Sequence, residues 1–187
     1  MGGAVTPDEL ASVLHLVTDA VTAVAATDDA DWSAPAASLQ WSCRQTLDHT
    51  IDCVFSYGFQ FAARADGAFL PFGELHSLPE AEPGDLITGL RAVGDTFLAV
   101  VRSAPEGAAA SDGVYLMHAD DWCARAAYEV LLHGHDVVRG LGGSFTPPAA
   151  LCTAVMSSPT LWMFDRSQAV GSDPWVDLLA GSGRPVP

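Results

Sequence analysis

Apolar positions recur at helical spacing in four long stretches of the chain. Thr6-Pro7-Asp8-Glu9 supplies an N-cap residue, a proline at the first helical position and acids in the first turn. Leu10, Val13, Leu14, Val17, Val21 and Val24 then form one stripe to about Ala26. Ser42-Cys43-Arg44-Gln45 fits a capping box and opens a second helix to about Arg64, with Leu47, Ile51, Val54, Phe55, Gly58 and Ala62 as its core stripe. A third helix fits Asp85 to Ser103, and a fourth runs from about Asp120 to Leu141, where Gly142-Gly143 stops it. Shorter pieces follow: a fifth helix over Pro148–Ser157, an irregular segment from about 158, and a helical turn at Pro174–Leu179.

Between these, Thr27 to Gln40 reads as a long connection pinned by Trp32 and Trp41, and Ala65 to Gly84 as a loop broken by proline and glycine. Ala104 to Gly113 is another loop, and Val114–His118 a short extended piece. No stretch keeps strand alternation and no repeat is visible. The prediction is an all-α bundle, a single domain over 1–187 with long connections.

The fourth helix carries the densest chemistry. Glu129, His133 and Asp136 recur at i, i+4 and i+7 and fall within roughly 60° of arc, so they point the same way. His135 lies about 200° from His133 and cannot share a metal with it on a regular helix. Glu129 and His133 border the apolar arc, whereas Tyr128, His135 and Arg139 group on what reads as the solvated face. A carboxylate and an imidazole on an inward edge must be satisfied, either by each other or by a metal. On the second helix His49 has Thr46, Cys53, Tyr57 and Gln60 on one flank and Asp52 and Ser56 on the other. Such a border position suits either a pocket wall or solvent. His76 and His118 are expected to be exposed or structural.

Composition narrows the partners. The formal net charge is −15 and all eight cations are arginines, a balance that repels phosphate backbones and anionic lipid. No apolar run is long enough to span a membrane, and the first residues lack the cationic start and apolar run of a signal peptide. Cys43, Cys53, Cys123 and Cys152 are scattered without CxxC spacing, which predicts free thiols packed as small hydrophobes in a reducing cytoplasm.

Three motifs in register then match a family. Trp41-Ser42-Cys43-Arg44-Gln45-Thr46-Leu47-Asp48-His49 resembles the Trp-(Thr/Ser)-x-(Arg/Lys)-(Asp/Glu)-x-Leu-x-His signature of DinB-like bundles. Glu129-Val130-Leu131-Leu132-His133-Gly134-His135-Asp136 is similar to the Glu-Leu-x-x-His-x-x-Asp motif of the branch typified by mycothiol-dependent maleylpyruvate isomerases. The ending from Pro174-Trp175 to Gly183-Arg184 resembles that branch's Trp-x-x-Leu-Leu-x-x-x-Gly-Arg close.

The resemblance implies a DinB-like four-helix bundle with a metal triad of His49, Glu129 and His133, and Asp136 behind it. It implies a divalent metal, zinc first, with nickel or iron possible from the same ligands. It further implies a metal-dependent enzyme that activates a low-molecular-weight, mycothiol-like thiol for transfer to, or isomerisation of, a small electrophile. Tyr57, Trp122 and Arg125 are expected, from their angular positions, to line the substrate pocket. A homodimer is the family habit. The alternatives are a non-catalytic metal- or ligand-binding sensor or stress protein, and a degenerate bundle acting through protein contacts. Asp48 and Thr50 depart from the family pattern, and His135 becomes an alternative ligand if the helix kinks at Gly134.

Overall fold

The structure, a computed structural model, describes residues 5–27, 29–169, 171 and 173–186. Residues 1–4, 28, 170, 172 and 187, part of the single domain expected over 1–187, lie outside the described residues. Six α-helices are present among the described residues: α1 Pro7–Ala25, α2 Cys43–Ala63, α3 Pro83–Ser103, α4 Ala119–Gly140, α5 Ala149–Ser157 and α6 Pro174–Gly181. Ser42 caps α2 in a reciprocal capping box with Gln45, as expected, and the N-cap Thr6 forms a similar box with Glu9 at the start of α1. No helix among the described residues is long and apolar enough to cross a membrane.

The first four helices form the bundle. α1 packs on α3 and α4, and α2 packs on the same two, so consecutive helices α1 and α2 stand diagonally opposite, as do α3 and α4. A diagonal step needs a connection that crosses the end of the bundle, which accounts for the long segments 26–42 and 104–118. The second of these is not plain loop. Ala109–Ser111 (β1) pairs antiparallel with Leu116–His118 (β2), with Ala110 opposite Met117. Buried Gln60 ties this hairpin to α2, donating to the carbonyl of Ser111 at 2.6 Å and accepting from Leu70 N–H at 3.1 Å.

Two expectations about faces need correction. Phe55 and Ala62, placed in the core stripe of α2, are exposed, and so is Phe59. The buried side of α2 is rotated toward Thr46, Thr50, Cys53, Tyr57 and Gln60, of which Tyr57 and Gln60 find hydrogen-bond partners outside the helix. Thr50 satisfies its hydroxyl within the helix, donating to the Thr46 carbonyl at 2.8 Å. The face of α4 read as solvated is also covered, apart from Arg139. Described residues after α4 cover it: Tyr128 is buried and its hydroxyl reaches the Met163 carbonyl, and Trp175 packs edge-on against His135 at 5.1 Å. The segment from 158 therefore works as a cover, with a 3-10 turn at Arg166–Gln168 before α6.

Close approach of α1 to its neighbours rests on two glycines. A Cβ on Gly94 would lie 2.8 Å from Leu14 Cδ1, and one on Gly134 would lie 2.4 Å from Val17 Cγ1. Gly94, which weakens α3 on propensity alone, is thus a packing position. Val17 is fully buried and β-branched, so it has no rotamer to escape into. Gly134→Ala is therefore expected to destabilise the protein by about 1–3 kcal/mol despite the better helix propensity of alanine. Gly84→Ala, at the start of α3 with open space around its Cβ, is expected to stabilise by about 0.4–1 kcal/mol. Urea denaturation of both variants checks the pair; equal effects would contradict this packing.

Candidate metal centre

The α2–α4 contact brings His49 against Glu129 and His133. One donor atom from each of these three side chains lies within 4.8 Å of the other two. His133 Nε2 is 3.2 Å from Glu129 Oε2, and the rings of His49 and His133 meet edge to face at 5.2 Å. The border position of His49 thus resolves toward the interior, since Cys53, Tyr57 and Gln60 on its flank are all buried.

Each member is held from behind. Tyr57 donates its hydroxyl to Glu129 Oε1 at 3.0 Å, leaving Oε2 facing His133. His133 Nδ1 faces Asp136 Oδ2 at 3.5 Å. Asp136, almost wholly buried, is clamped by Arg184 through Nε at 2.9 Å and Nη2 at 2.6 Å to the same oxygen. Trp41 packs edge-on to the His49 ring at 4.9 Å, and Cys53 Sγ lies 3.3 Å from His49 Nε2.

The electrostatics follow from these contacts. Burial favours the neutral form of His49, and the neighbouring His133 adds to this, so its pKa falls below the usual value. Burial would raise the Glu129 carboxyl, but hydrogen bonds from His133 and Tyr57 outweigh it and hold the group below its ordinary range. For His133 burial would lower the pKa, and the Asp136 and Glu129 carboxylates reverse the sign. The surroundings thus favour the carboxylate form of Glu129, the neutral form of His49 and the protonated form of His133. Burial, followed by Glu129, pushes the Cys53 thiol well up.

Two nitrogen donors and one carboxylate converging from two helices form a donor set that suits a divalent metal of borderline softness. A bound metal would take the place of the proton on the Glu129-facing nitrogen of His133. The helix is continuous through Gly134, so His135 stays on the far side of α4, against Trp175.

The three residues expected to line a pocket, Tyr57, Trp122 and Arg125, are all buried. Trp122 is fully buried, and its ring lies 5.8 Å from that of Tyr57. Arg125 is buried and ion-paired with Asp112 at 2.7 Å, and it also donates to the Thr160 carbonyl. Asp112 is itself built into the hairpin turn, accepting from Val114 and Tyr115 N–H at 2.8 Å each. Asp48, which departs from the family pattern, accepts from Ser77 N–H at 2.8 Å and faces His76 Nδ1 at 3.0 Å, so it anchors the α2–α3 connection. Arg184 and Cys53 are the contacts that sequence reasoning did not assign. Arg184 stands in the Gly183-Arg184 close, but its target lies on another helix; Cys53 is one turn from His49 and was legible only as a flank.

A family model described as the DinB superfamily matches residues 14–137. The chain belongs to that superfamily. No curated protein and no solved structure matches it significantly.

The Arg184–Asp136 pair is buried on both sides, with 11% and 1% of the side chains exposed. Removing one partner strands the other charge, so Arg184→Ala is expected to cost about 3–5 kcal/mol. Combining it with Asp136→Asn is expected to cost less than the sum of the single changes, because the stranded carboxylate is gone. Denaturation of the double-mutant cycle measures this; additive losses would mean the clamp is not what holds Arg184.

Proposed function

We propose that this DinB superfamily chain holds a divalent metal on His49, Glu129 and His133 and activates a low-molecular-weight thiol for transfer to, or isomerisation of, a small electrophile. The observation that carries the reading is the convergence of the three donor atoms within 4.8 Å from two helices. The likeness of the Trp41–His49, Glu129–Asp136 and Pro174–Arg184 motifs to the mycothiol-dependent branch supports the thiol. When bound there, a metal such as zinc, or nickel or iron, would supply a Lewis acid whose open position keeps a small thiol ionised at neutral pH.

The chain's own residues do the rest. Tyr57 fixes the Glu129 carboxylate by its hydroxyl, so one oxygen stays directed at the site. Asp136 sets the ring orientation of His133, and Arg184 keeps Asp136 ionised in its buried position. Trp41 packs against one edge of the His49 ring and helps to hold its orientation. Cys53 is not one of the three donors, so the reacting sulfur in this reading comes from the cosubstrate.

A second reading is a metal-holding bundle without turnover. It is favoured by the crowding of His49 between Trp41 and Cys53, which narrows the space left for a cosubstrate.

Elemental analysis of the purified protein is expected to find about one equivalent of divalent metal, lost in both His49→Ala and Glu129→Ala. Absence of metal in the wild type after reconstitution would overturn the reading. With cobalt in the site, adding a small thiol is expected to produce a sulfur-to-metal charge-transfer band. A spectrum that stays unchanged would favour the metal-holding bundle over the thiol enzyme.

A further inference from the structure

On the other side of the Asp136–Arg184 pair lies a cavity of about 500 Å³, within the range of small-molecule sites. α4 contributes His135, Asp136 and Arg139 to it, and the C-terminal segment contributes Trp175, Leu179 and Arg184. The metal triad is not among its walls, and it touches that site only through Asp136 and Arg184.

Arg139 sets its character. In a chain with 23 acids and eight cations, free arginine is scarce. Arg91, Arg102, Arg125 and Arg184 pair with Asp19, Asp8, Asp112 and Asp136. Arg44, Arg64 and Arg166 are tied to backbone carbonyls. Arg139 has no hydrogen-bond or ion-pair partner among the described residues, and it faces this cavity. The Asp136–Arg184 pair is internally neutral, so the charged side chains of the wall sum to a single positive charge. The remaining wall is largely apolar, with Phe145, Trp175 and Leu179.

We infer that this cavity binds a small organic monoanion, a carboxylate on an aromatic or aliphatic body, with the carboxylate on Arg139 and the body against Trp175, Leu179 and Phe145. Arginine presents a planar fork that matches a carboxylate. One uncompensated cation neutralises one negative charge, while the overall charge of −15 penalises a dianion. The inference is independent of the metal, since Arg139 is outside the triad.

Calorimetric titration of the whole chain with 2-naphthoate, and with 2-naphthalenemethanol as its uncharged match, tests this. The wild type is expected to bind the carboxylate at least about tenfold more tightly than the alcohol, a difference the size of one charge-assisted contact. Arg139→Ala is expected to reduce carboxylate affinity to that of the alcohol. The exposure of Arg139 and its lack of partners mean that this variant keeps the fold. Equal affinity for the two compounds, unchanged carboxylate binding in Arg139→Ala, or no saturable binding would overturn the inference.

Discussion

Helix α4 is buried on nearly every side, yet it carries Arg125, Glu129, His133 and Asp136 inside the molecule. Burying an ionisable group without a partner costs several kcal/mol, so this stripe can exist only if the rest of the chain satisfies it. The partners come from every quarter. The hairpin between α3 and α4 supplies Asp112 to Arg125, α2 supplies Tyr57 to Glu129, and the C-terminal segment supplies Arg184 to Asp136. The two parts of the chain that look most like a connection and a tail, the hairpin and the C-terminal segment, are thus fixed by charges on one helix.

The same constraint shapes the candidate centre. Carboxylates and rings left inside a bundle hold each other in set orientations, because low exposure removes the competing water. Glu129 shares its two oxygens between Tyr57 and His133, and His133 stands between Glu129 and Asp136. This arrangement fixes where a ligand to the donor set would sit. It also places the Asp136–Arg184 pair between the donor set and the cavity that Arg139 faces. A polar pair that serves both sides links the C-terminal cover to the chemistry of the bundle.

How much was legible in the sequence depended on range. The four bundle helices and the capping box of α2 follow from local periodicity and end chemistry, and the helix boundaries fall within a few residues of the prediction. The Glu129/His133/Asp136 face follows from helical spacing alone. The burial of Tyr128 and His135 did not follow, because the wheel compares residues within one helix and says nothing of described residues after α4 folding over it. Phe55 misled for a related reason: hydrophobicity placed it inward, while Tyr57 and Gln60 turned the other side in through hydrogen bonds to Glu129 and Ser111.

By itself the sequence determined an acidic, lysine-free helical chain, the faces of its strongest helices, and the residue types able to hold a metal. Those properties are local: capping, period and charge need only neighbours within a few turns. Only the tertiary structure decided that His49 meets Glu129 and His133, that Arg184 reaches back to Asp136, and that Arg139 is left without a partner beside a cavity. Each of these joins residues far apart in the chain. Which distant groups meet is fixed by the joint requirement to bury apolar faces and to pair every buried charge, and that requirement has a solution only when all the helices are packed together.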